Sequence, residues 1–198
     1  VFFVLARLLE PTDFGVIALA GVLLAFAEVL IEAGFADALV QRQDLQAIHI
    51  DTAFSSQLAL AGLYSVLLFV FAPFMAIFLG EPRLKIVLWA FIPYLVLLAL
   101  GSVQQALLKR QLAYKSLAFR ASVANITGGL VGIACAFSGL GVWSLVIQQW
   151  VFAGIGVAVL WRSSVWRPQW QWQWQACRDL LQFGGVMTFS KLLDFAYN

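Results

Sequence analysis

Residues 15–33 read GVIALAGVLLAFAEVLIEA, an apolar run in which only Glu28 and Glu32 are ionisable. A helix needs about 20 mainly apolar residues to cross the hydrocarbon core of a membrane. Four more runs reach this length, and they cover residues 58–79, 86–108, 117–137 and 142–161. Residues 1–5 look like the end of an earlier span, and a weaker run begins at Leu180. Together these runs predict an all-α polytopic membrane protein.

The composition of the whole chain excludes a soluble globular domain. Of its 198 residues, 63% are hydrophobic and 11% are charged, whereas soluble domains carry about 25% charged residues. The mean hydropathy is +0.91. A net charge of +2, from 12 basic and 10 acidic side chains, provides no overall positive field for nucleic acid. We therefore expect membrane lipids among the partners, and no nucleic acid.

Helix-breaking residues separate the apolar runs. They read EPTD at residues 10–13, GEPR at 80–83 and SGLG at 138–141. Connections this short predict antiparallel neighbouring helices in a bundle. The chain lacks an initial Met and opens inside an apolar run, so we expect a fragment of a longer protein.

Basic residues are unevenly distributed among the connections, when residues 1–5 are counted as the end of span one. The connections after spans two, four and six contain eight Lys and Arg residues, and the others contain three. The eight are Arg42, Lys109, Arg110, Lys115, Arg120, Arg162, Arg167 and Arg178, and the three are Arg7, Arg83 and Lys85. Since basic residues favour cytoplasmic connections, we predict that the even-numbered connections are cytoplasmic.

Residues 166–175 read WRPQWQWQWQ, in which Trp alternates with Gln. On an extended strand this period of two places all the indoles on one side. One interpretation is a linker that lies in the cytoplasmic membrane interface, and we favour it because Trp is enriched there. The other is a stacking platform for sugar rings.

The two carboxylates of the span at residues 15–33 need an explanation, because an ionisable residue costs about 2.5–3.5 kcal/mol at the bilayer centre. Glu28 and Glu32 are four residues apart and therefore share a helix face. They either form a proton or cation coupling site facing a polar cavity, or serve structure. In the structural case Glu32 reaches the headgroups and Glu28 pairs with a basic residue.

Other polar side chains inside the spans are candidates for a substrate cavity. Arg120 either extends to the cytoplasmic interface, the commoner arrangement, or faces the interior and holds an anionic group such as a phosphate. Asn125 lies roughly on the same helix face. The amides of other spans either tie helices together or face a cavity suited to a hydroxyl-rich substrate; they are Gln57, Gln104 and Gln148.

The last apolar run contains an ionisable pair, Lys191 and Asp194, three residues apart. The two side chains either neutralise each other or take part in transport. In the second case Lys191 is a substrate-cavity candidate and Asp194 a coupling-ion candidate.

The sequence contains no catalytic constellation. It has one His, no cysteine pair with metal-ligand spacing, and no Gly-rich phosphate loop followed by Lys. Gly128, Gly129 and Gly132 are typical of close helix packing. We expect no enzyme activity, no metal and no cofactor.

Several motifs resemble those of bacterial polysaccharide flippases. Residues 5–15, LARLLEPTDFG, resemble the family's ARLL-x-P-x-DFG signature, and residues 32–42, EAGFADALVQR, resemble its D-x-G-x-x-x-ALVQR segment, with Glu32 in place of the usual Asp. Residues 49–54, HIDTAF, match its H-x-DTAF motif. Four further matches follow in order, namely GEPR at 80–83, ALLKR at 106–110, GLGVW at 139–143 and WRP at 166–168.

The chain is thereby identified as similar to the multidrug/oligosaccharidyl-lipid/polysaccharide (MOP) exporter superfamily, in the branch of the colanic acid exporter. The resemblance implies a MATE/MOP-like helical bundle with two six-helix lobes around a central cavity. Residues 1–162 would then form the N-terminal lobe, from the tail of helix 1 through helix 6. Residues 163–179 would be the cytoplasmic Trp/Gln-rich linker between lobes, and residues 180–198 the start of helix 7.

The function implied by the resemblance is flipping of polyprenyl-diphosphate-linked oligosaccharide repeat units across the bacterial inner membrane. Such flipping serves exopolysaccharide, capsule or O-antigen biosynthesis, and makes a polysaccharide polymerase and export machinery candidate partners. The alternatives are an ion-coupled drug or metabolite exporter of the same superfamily and a membrane enzyme of polysaccharide assembly. A polymerase would carry a large periplasmic loop, which the short connections of this chain do not provide.

Overall fold

The computed structural model describes residues 5, 8, 10–32, 34–182 and 184. Its helices are α1 (Pro11–Glu32), α2 (Phe35–Gln41), α3 (Ala47–Phe78), α4 (Pro82–Ala90), α5 (Ile92–Arg110), α6 (Tyr114–Phe137) and α7 (Val142–Ser163). Residues 174–182 are also helical. These ranges contain no strand, and the all-α prediction is confirmed.

Five helical segments are long and apolar enough to cross a membrane, as the sequence predicted. They are Pro11–Ile31, Ala47–Phe78, Pro82–Arg110, Tyr114–Phe137 and Val142–Ser163. Many of their large exposed side chains are apolar, among them Phe69, Val70 and Phe74 of α3. Such a surface suits lipid and would be exceptional on a soluble monomer.

The span from Pro82 to Arg110 is interrupted at Phe91, where α4 ends and α5 begins. Pro93 has no backbone N–H and disfavours helical geometry just before it. The indole of Trp150 donates to the Ala90 carbonyl at 2.8 Å. A backbone acceptor beside the interruption is therefore satisfied from α7, as a hydrocarbon environment requires.

Helix α3 begins earlier than the apolar run at residues 58–79 indicates. The helix starts at Ala47 because Gln46 and His49 form a capping box, in which the Gln46 backbone N–H donates to His49 Nδ1 at 3.2 Å. The 32 residues of α3 extend over about 48 Å, against about 30 Å for the hydrocarbon core. The polar first turns of α3 therefore project beyond one end of its span.

The short helix α2 was not predicted. Its carboxyl end is capped by Arg110 of α5, which donates to the carbonyls of Leu39 at 3.0 Å and Val40 at 3.3 Å. Arginine near a helix C-terminus satisfies carbonyls that have no partner within the helix.

Helix α5 lies at the centre of the bundle and packs against α3, α7 and α2. In the most apolar 18 residues of the Pro82–Arg110 span, half of the residues are buried. In the other spans the corresponding share is 22–28%. One apolar cluster fills the middle of the bundle around Leu95 and Ala99 of α5. A second cluster, around Phe54 and Leu107, lies at one end and includes Cys177 and Leu180 from helical residues 174–182.

Candidate functional site

Glycines set the close packing of α6 against α7. A Cβ atom on Gly132 would lie 2.7 Å from Gln148 Oε1, and one on Gly128 would lie 3.1 Å from the Gln148 carbonyl oxygen. A side chain at either position would force its neighbours to shift, so the contacts of Gly128 and Gly132 match the predicted role in helix packing. The same contact brings the amide of Gln148 into the interior of the bundle.

A polar cavity of about 390 Å³ lies between α1, α5, α6 and α7. Its lining includes three residues that the sequence analysis selected, Glu28, Asn125 and Gln148, which belong to three different helices. Tyr94 of α5 and Gln149 of α7 add a hydroxyl and a second amide. The cavity thus combines a carboxylate, a phenol and amides in a membrane-spanning bundle.

Glu28 has a specific partner in this cavity. The hydroxyl of Tyr94 donates to Glu28 Oε1 at 2.6 Å, a distance typical of a hydrogen bond to a carboxylate. The structural interpretation had predicted a basic partner for Glu28. Within the described part of the chain, the hydrogen-bond partner found is the tyrosine.

The Gln148 side chain lines the cavity wall. Among the described residues, its Oε1 atom is buried and receives no hydrogen bond. This oxygen faces Gly132 at the contact between α6 and α7.

Arg120 lies inside the bundle, next to this cavity. Its Nη1 donates to Gln105 Oε1 at 2.9 Å, and a Cβ atom on Gly156 would lie 3.1 Å from its Nε and Nη2 atoms. A small cavity of about 30 Å³ borders Arg120 and shares Tyr94 and Phe152 with the larger one. The Arg120 side chain therefore packs against α5 and α7, and its role in holding an anionic group stays a prediction.

Two predicted amides lie away from the cavity, at helix–helix contacts. Gln57 of α3 is fully buried, and its Oε1 accepts a hydrogen bond from the Ser102 hydroxyl of α5. Gln104 of α5 donates to the Leu100 carbonyl at 2.8 Å and accepts from Trp161 Nε1 of α7 at 3.2 Å. Their contacts match the helix-tying interpretation of such amides.

Three other candidates fall outside what the structure describes. Lys191 and Asp194 are among the residues not described, and of Glu32 only the helical backbone is described. The predicted pairing of Glu28 with Glu32 therefore stays a prediction.

Sequence reasoning missed Tyr94. Tyr94 is 66 residues from Glu28 in the chain, and helical periodicity does not connect residues of different helices. The available signal was the position of Tyr94, a polar ring directly after Pro93 within a predicted span.

Three motifs meet at the end of the bundle that carries the odd-numbered connections. Asp13, Arg83 and residues 139–143 surround a cavity of about 430 Å³. Asp13 Oδ1 lies 3.7 Å from Arg83 Nη1. Gly141 has a φ of 52°, and a Cβ atom there would lie 3.1 Å from Asp13 Oδ2. The aspartate therefore pairs with the connection at residues 80–83. It also lies close to Gly141, where the positive φ favours glycine.

The chemistry available in the central cavity is hydrogen bonding and charge pairing. Among the described residues, no group of three or more His, Cys, Asp or Glu side chains could hold a metal ion. The amides and the tyrosine match hydroxyl groups, and the guanidinium of Arg120 matches a phosphate.

The chain is similar to known proteins over nearly its whole length. It matches the family described as "Polysaccharide biosynthesis protein" over residues 4–198. It is 29% identical over 194 residues to the succinoglycan biosynthesis transport protein ExoT of Rhizobium meliloti (strain 1021), covering 97% of this chain and 39% of that protein.

Two further relatives are more distant. The lipopolysaccharide biosynthesis protein WzxC of Escherichia coli (strain K12) is 20% identical over 198 residues, covering 97% of this chain and 39% of that protein. The teichuronic acid biosynthesis protein TuaB of Bacillus subtilis (strain 168) is 24% identical over 172 residues, covering 85% of this chain and 35% of that protein. The chain thus spans about two fifths of the length of these relatives. No solved structure matches it.

Proposed function

Because the chain belongs to the polysaccharide biosynthesis protein family, among the polysaccharide flippases of the MOP superfamily, we propose that the protein containing it flips a polyprenyl-diphosphate-linked oligosaccharide across the bacterial inner membrane. The product would feed exopolysaccharide, capsule or O-antigen synthesis. The covalent bonds of the substrate stay intact, so the required chemistry is binding and release.

One observation supports this proposal most strongly, namely the polar cavity between α1, α5, α6 and α7. Polar side chains inside a membrane are costly and usually mark a substrate or ion pathway. Gln148, Gln149 and Asn125 would bind sugar hydroxyls. Arg120 borders the adjoining small cavity, and it would bind the diphosphate through its planar guanidinium once that cavity widens.

We further propose that this chain forms one lobe and the beginning of the next. Residues 1–162 would be the N-terminal lobe, residues 163–179 the linker and residues 180–198 the start of helix 7. The central cavity would then open toward a second lobe contributed by the rest of the protein. Candidate partners are a polysaccharide polymerase and export machinery.

A second candidate function is ion-coupled export of drugs or metabolites within the same superfamily. The observation in its favour is the carboxylate of Glu28 in the cavity, which suits a cation better than an anionic diphosphate. Enzymatic polysaccharide assembly is less well supported, because one relative, the succinoglycan biosynthesis transport protein, has transport in its printed name.

The test is to delete the full-length protein from its host and to measure lipid-linked repeat units. If the protein is a flippase, the deletion strain should lose the exported polymer and accumulate intact lipid-linked units on the cytoplasmic leaflet. Complementation with the wild-type protein should reverse both effects. Normal polymer export together with increased drug sensitivity would favour the second candidate.

A further inference from the structure

The Trp/Gln segment is tied to the first turns of α3. The backbone N–H of Gln169 donates to Asp51 Oδ1 at 3.0 Å, and that of Gln173 donates to Thr52 Oγ1 at 3.2 Å. Asp51 and Thr52 are 2% and 0% exposed. Buried acceptors of this kind fix the path of the segment, since losing their donors would be costly.

These bonds also set the depth of the segment relative to the membrane. The indole of Trp172 donates to Ser56 Oγ at 3.2 Å. The apolar run of α3 starts at residue 58, and its first large exposed apolar side chain is Leu63. At about 1.5 Å per residue, Ser56 lies about 3–10 Å outside the hydrocarbon boundary. The headgroup layer occupies about 5–7 Å on each side of the core, so Trp172 lies at its level.

The indoles at this depth are exposed. Trp170, Trp172 and Trp174 are 67%, 53% and 65% exposed, and the ring centroids of Trp172 and Trp174 are 6.1 Å apart. Exposed aromatic rings of this size are unfavourable in water. Indoles combine an apolar ring with an N–H donor, and they concentrate at membrane–water interfaces for that reason.

The alternation of Trp and Gln had suggested an extended strand, but the segment does not form a regular one. Trp170 has a φ of 56°, so the chain turns there, and its ring packs edge-on against Phe54 with centroids 5.8 Å apart. The helical residues that follow bury Cys177 and Leu180 in the apolar cluster at this end of the bundle. The protein therefore contacts the backbone of the segment and part of the Trp170 and Trp172 indoles, and it leaves more than half of each indole exposed.

Exposed arginines flank the Trp/Gln segment in the sequence. Arg162 and Arg178 flank the segment and are exposed, whereas the carboxylate of Asp179 is paired with Arg42 at 3.2 Å. Basic residues at this level attract anionic lipid headgroups.

From these contacts we propose that residues 170–174 form an interfacial anchor, in which the three indoles insert into the headgroup layer and the nearby arginines contact anionic lipid phosphates. The path that leaves α7 is then held on one side by α3 and on the other by lipid. This inference does not depend on the transported substrate.

The test uses the full-length protein in vesicles of phosphatidylcholine and phosphatidylglycerol, with bromine placed either near the headgroup end or near the methyl end of the acyl chains. Subtracting the fluorescence of W170F/W172F/W174F from that of the wild type gives the emission of the three indoles. We expect this emission to be quenched mainly by bromine near the headgroups, and weakly by iodide in the water.

Trp161 is the matched control, because it lies at the same end but donates to the Leu100 carbonyl at 2.9 Å inside the bundle. The emission that is lost in W161F should be quenched weakly both by the brominated lipids and by iodide. Should the triple variant lose its fold, the single variant W172F provides the same comparison. Strong iodide quenching without lipid quenching would overturn the anchor, as would protection from iodide by soluble repeat-unit oligosaccharide, which indicates a sugar platform.

Discussion

The hydroxyl of Tyr94 donates a 2.6 Å hydrogen bond to Glu28, and this bond joins α5 to α1 at the wall of the polar cavity. Tyr94 also lines the small cavity that borders Arg120. A single side chain therefore lies between the acidic and the basic part of the proposed site. A carboxylate in this location needs such a donor, because an unsatisfied one is costly inside a membrane.

We predict that Tyr94→Phe weakens transport while the protein still folds. The variant keeps the ring and its edge-on packing against Phe91, at 6.0 Å between centroids, but it removes the donor to Glu28. Loss of one buried hydrogen bond costs about 1–3 kcal/mol. Polymer export in a deletion strain and thermal unfolding of the purified protein measure the two effects.

Tyr64→Phe is the matched control, since Tyr64 packs against the Phe26 ring and does not line the cavity. Equal export by the two variants at matched abundance would show that the Tyr94 hydroxyl has no role in transport.

The glycines of α6 and α7 provide a second prediction. Gly132→Ala should destabilise the α6–α7 contact by about 1–3 kcal/mol, because the new methyl group would lie 2.7 Å from Gln148 Oε1. Gly154→Ala should be neutral or slightly stabilising, since no atom lies within 4 Å of a Cβ there and alanine favours a helix. Thermal unfolding in detergent compares the two variants, and equal midpoints would contradict the packing described here.

The sequence predicted the membrane spans well and the site in part. Span number follows from the length of apolar runs. The interruption at Phe91 was not predicted, although the chemistry of Pro93 accounts for it. The polar extension of α3 and the short helix α2 were missed because capping at Gln46 and at Arg110 depends on local contacts and not on hydropathy.

Within the proposed site, the sequence analysis selected polar residues of the apolar spans but did not distinguish their surroundings. Gln57, Gln104 and Gln148 are all amides in apolar spans, yet only Gln148 lines the cavity. The difference depends on which neighbouring helix each amide faces. That information resides in tertiary packing, where Gly132 admits Gln148 and Ser102 meets Gln57.

The third prediction concerns membrane topology. The distribution of basic residues places Lys109 in the cytoplasm and Arg83 in the periplasm. Cys177 is a poor probe because it is buried, so both native cysteines should be replaced by Ser and single cysteines introduced at exposed positions 83 and 109. A membrane-impermeant maleimide added to intact cells should label position 83 alone. Labelling of position 109 alone would reverse the orientation.

The fourth prediction concerns energy coupling. If Glu28 and Glu32 form a coupling site, Glu28→Gln combined with Glu32→Gln should abolish the response of transport to an imposed pH or sodium gradient, because the amides mimic the protonated carboxyls. One charge that crosses 100 mV is worth about 2.3 kcal/mol, which is enough to bias transport. A gradient response in the double variant equal to that of the wild type would make the pair structural.

The most direct test of the central claim is flipping of a polyprenyl-diphosphate-linked oligosaccharide by the full-length protein in proteoliposomes. We predict that the wild type flips the substrate, that Arg120→Ala loses most of this activity, and that Arg120→Lys keeps part of it, because an ammonium retains the charge without the planar fork that binds phosphate. Lys115→Ala, in the exposed first turn of the same helix, should flip like the wild type. Wild-type flipping no faster than in protein-free vesicles, or full activity of Arg120→Ala, would contradict the account.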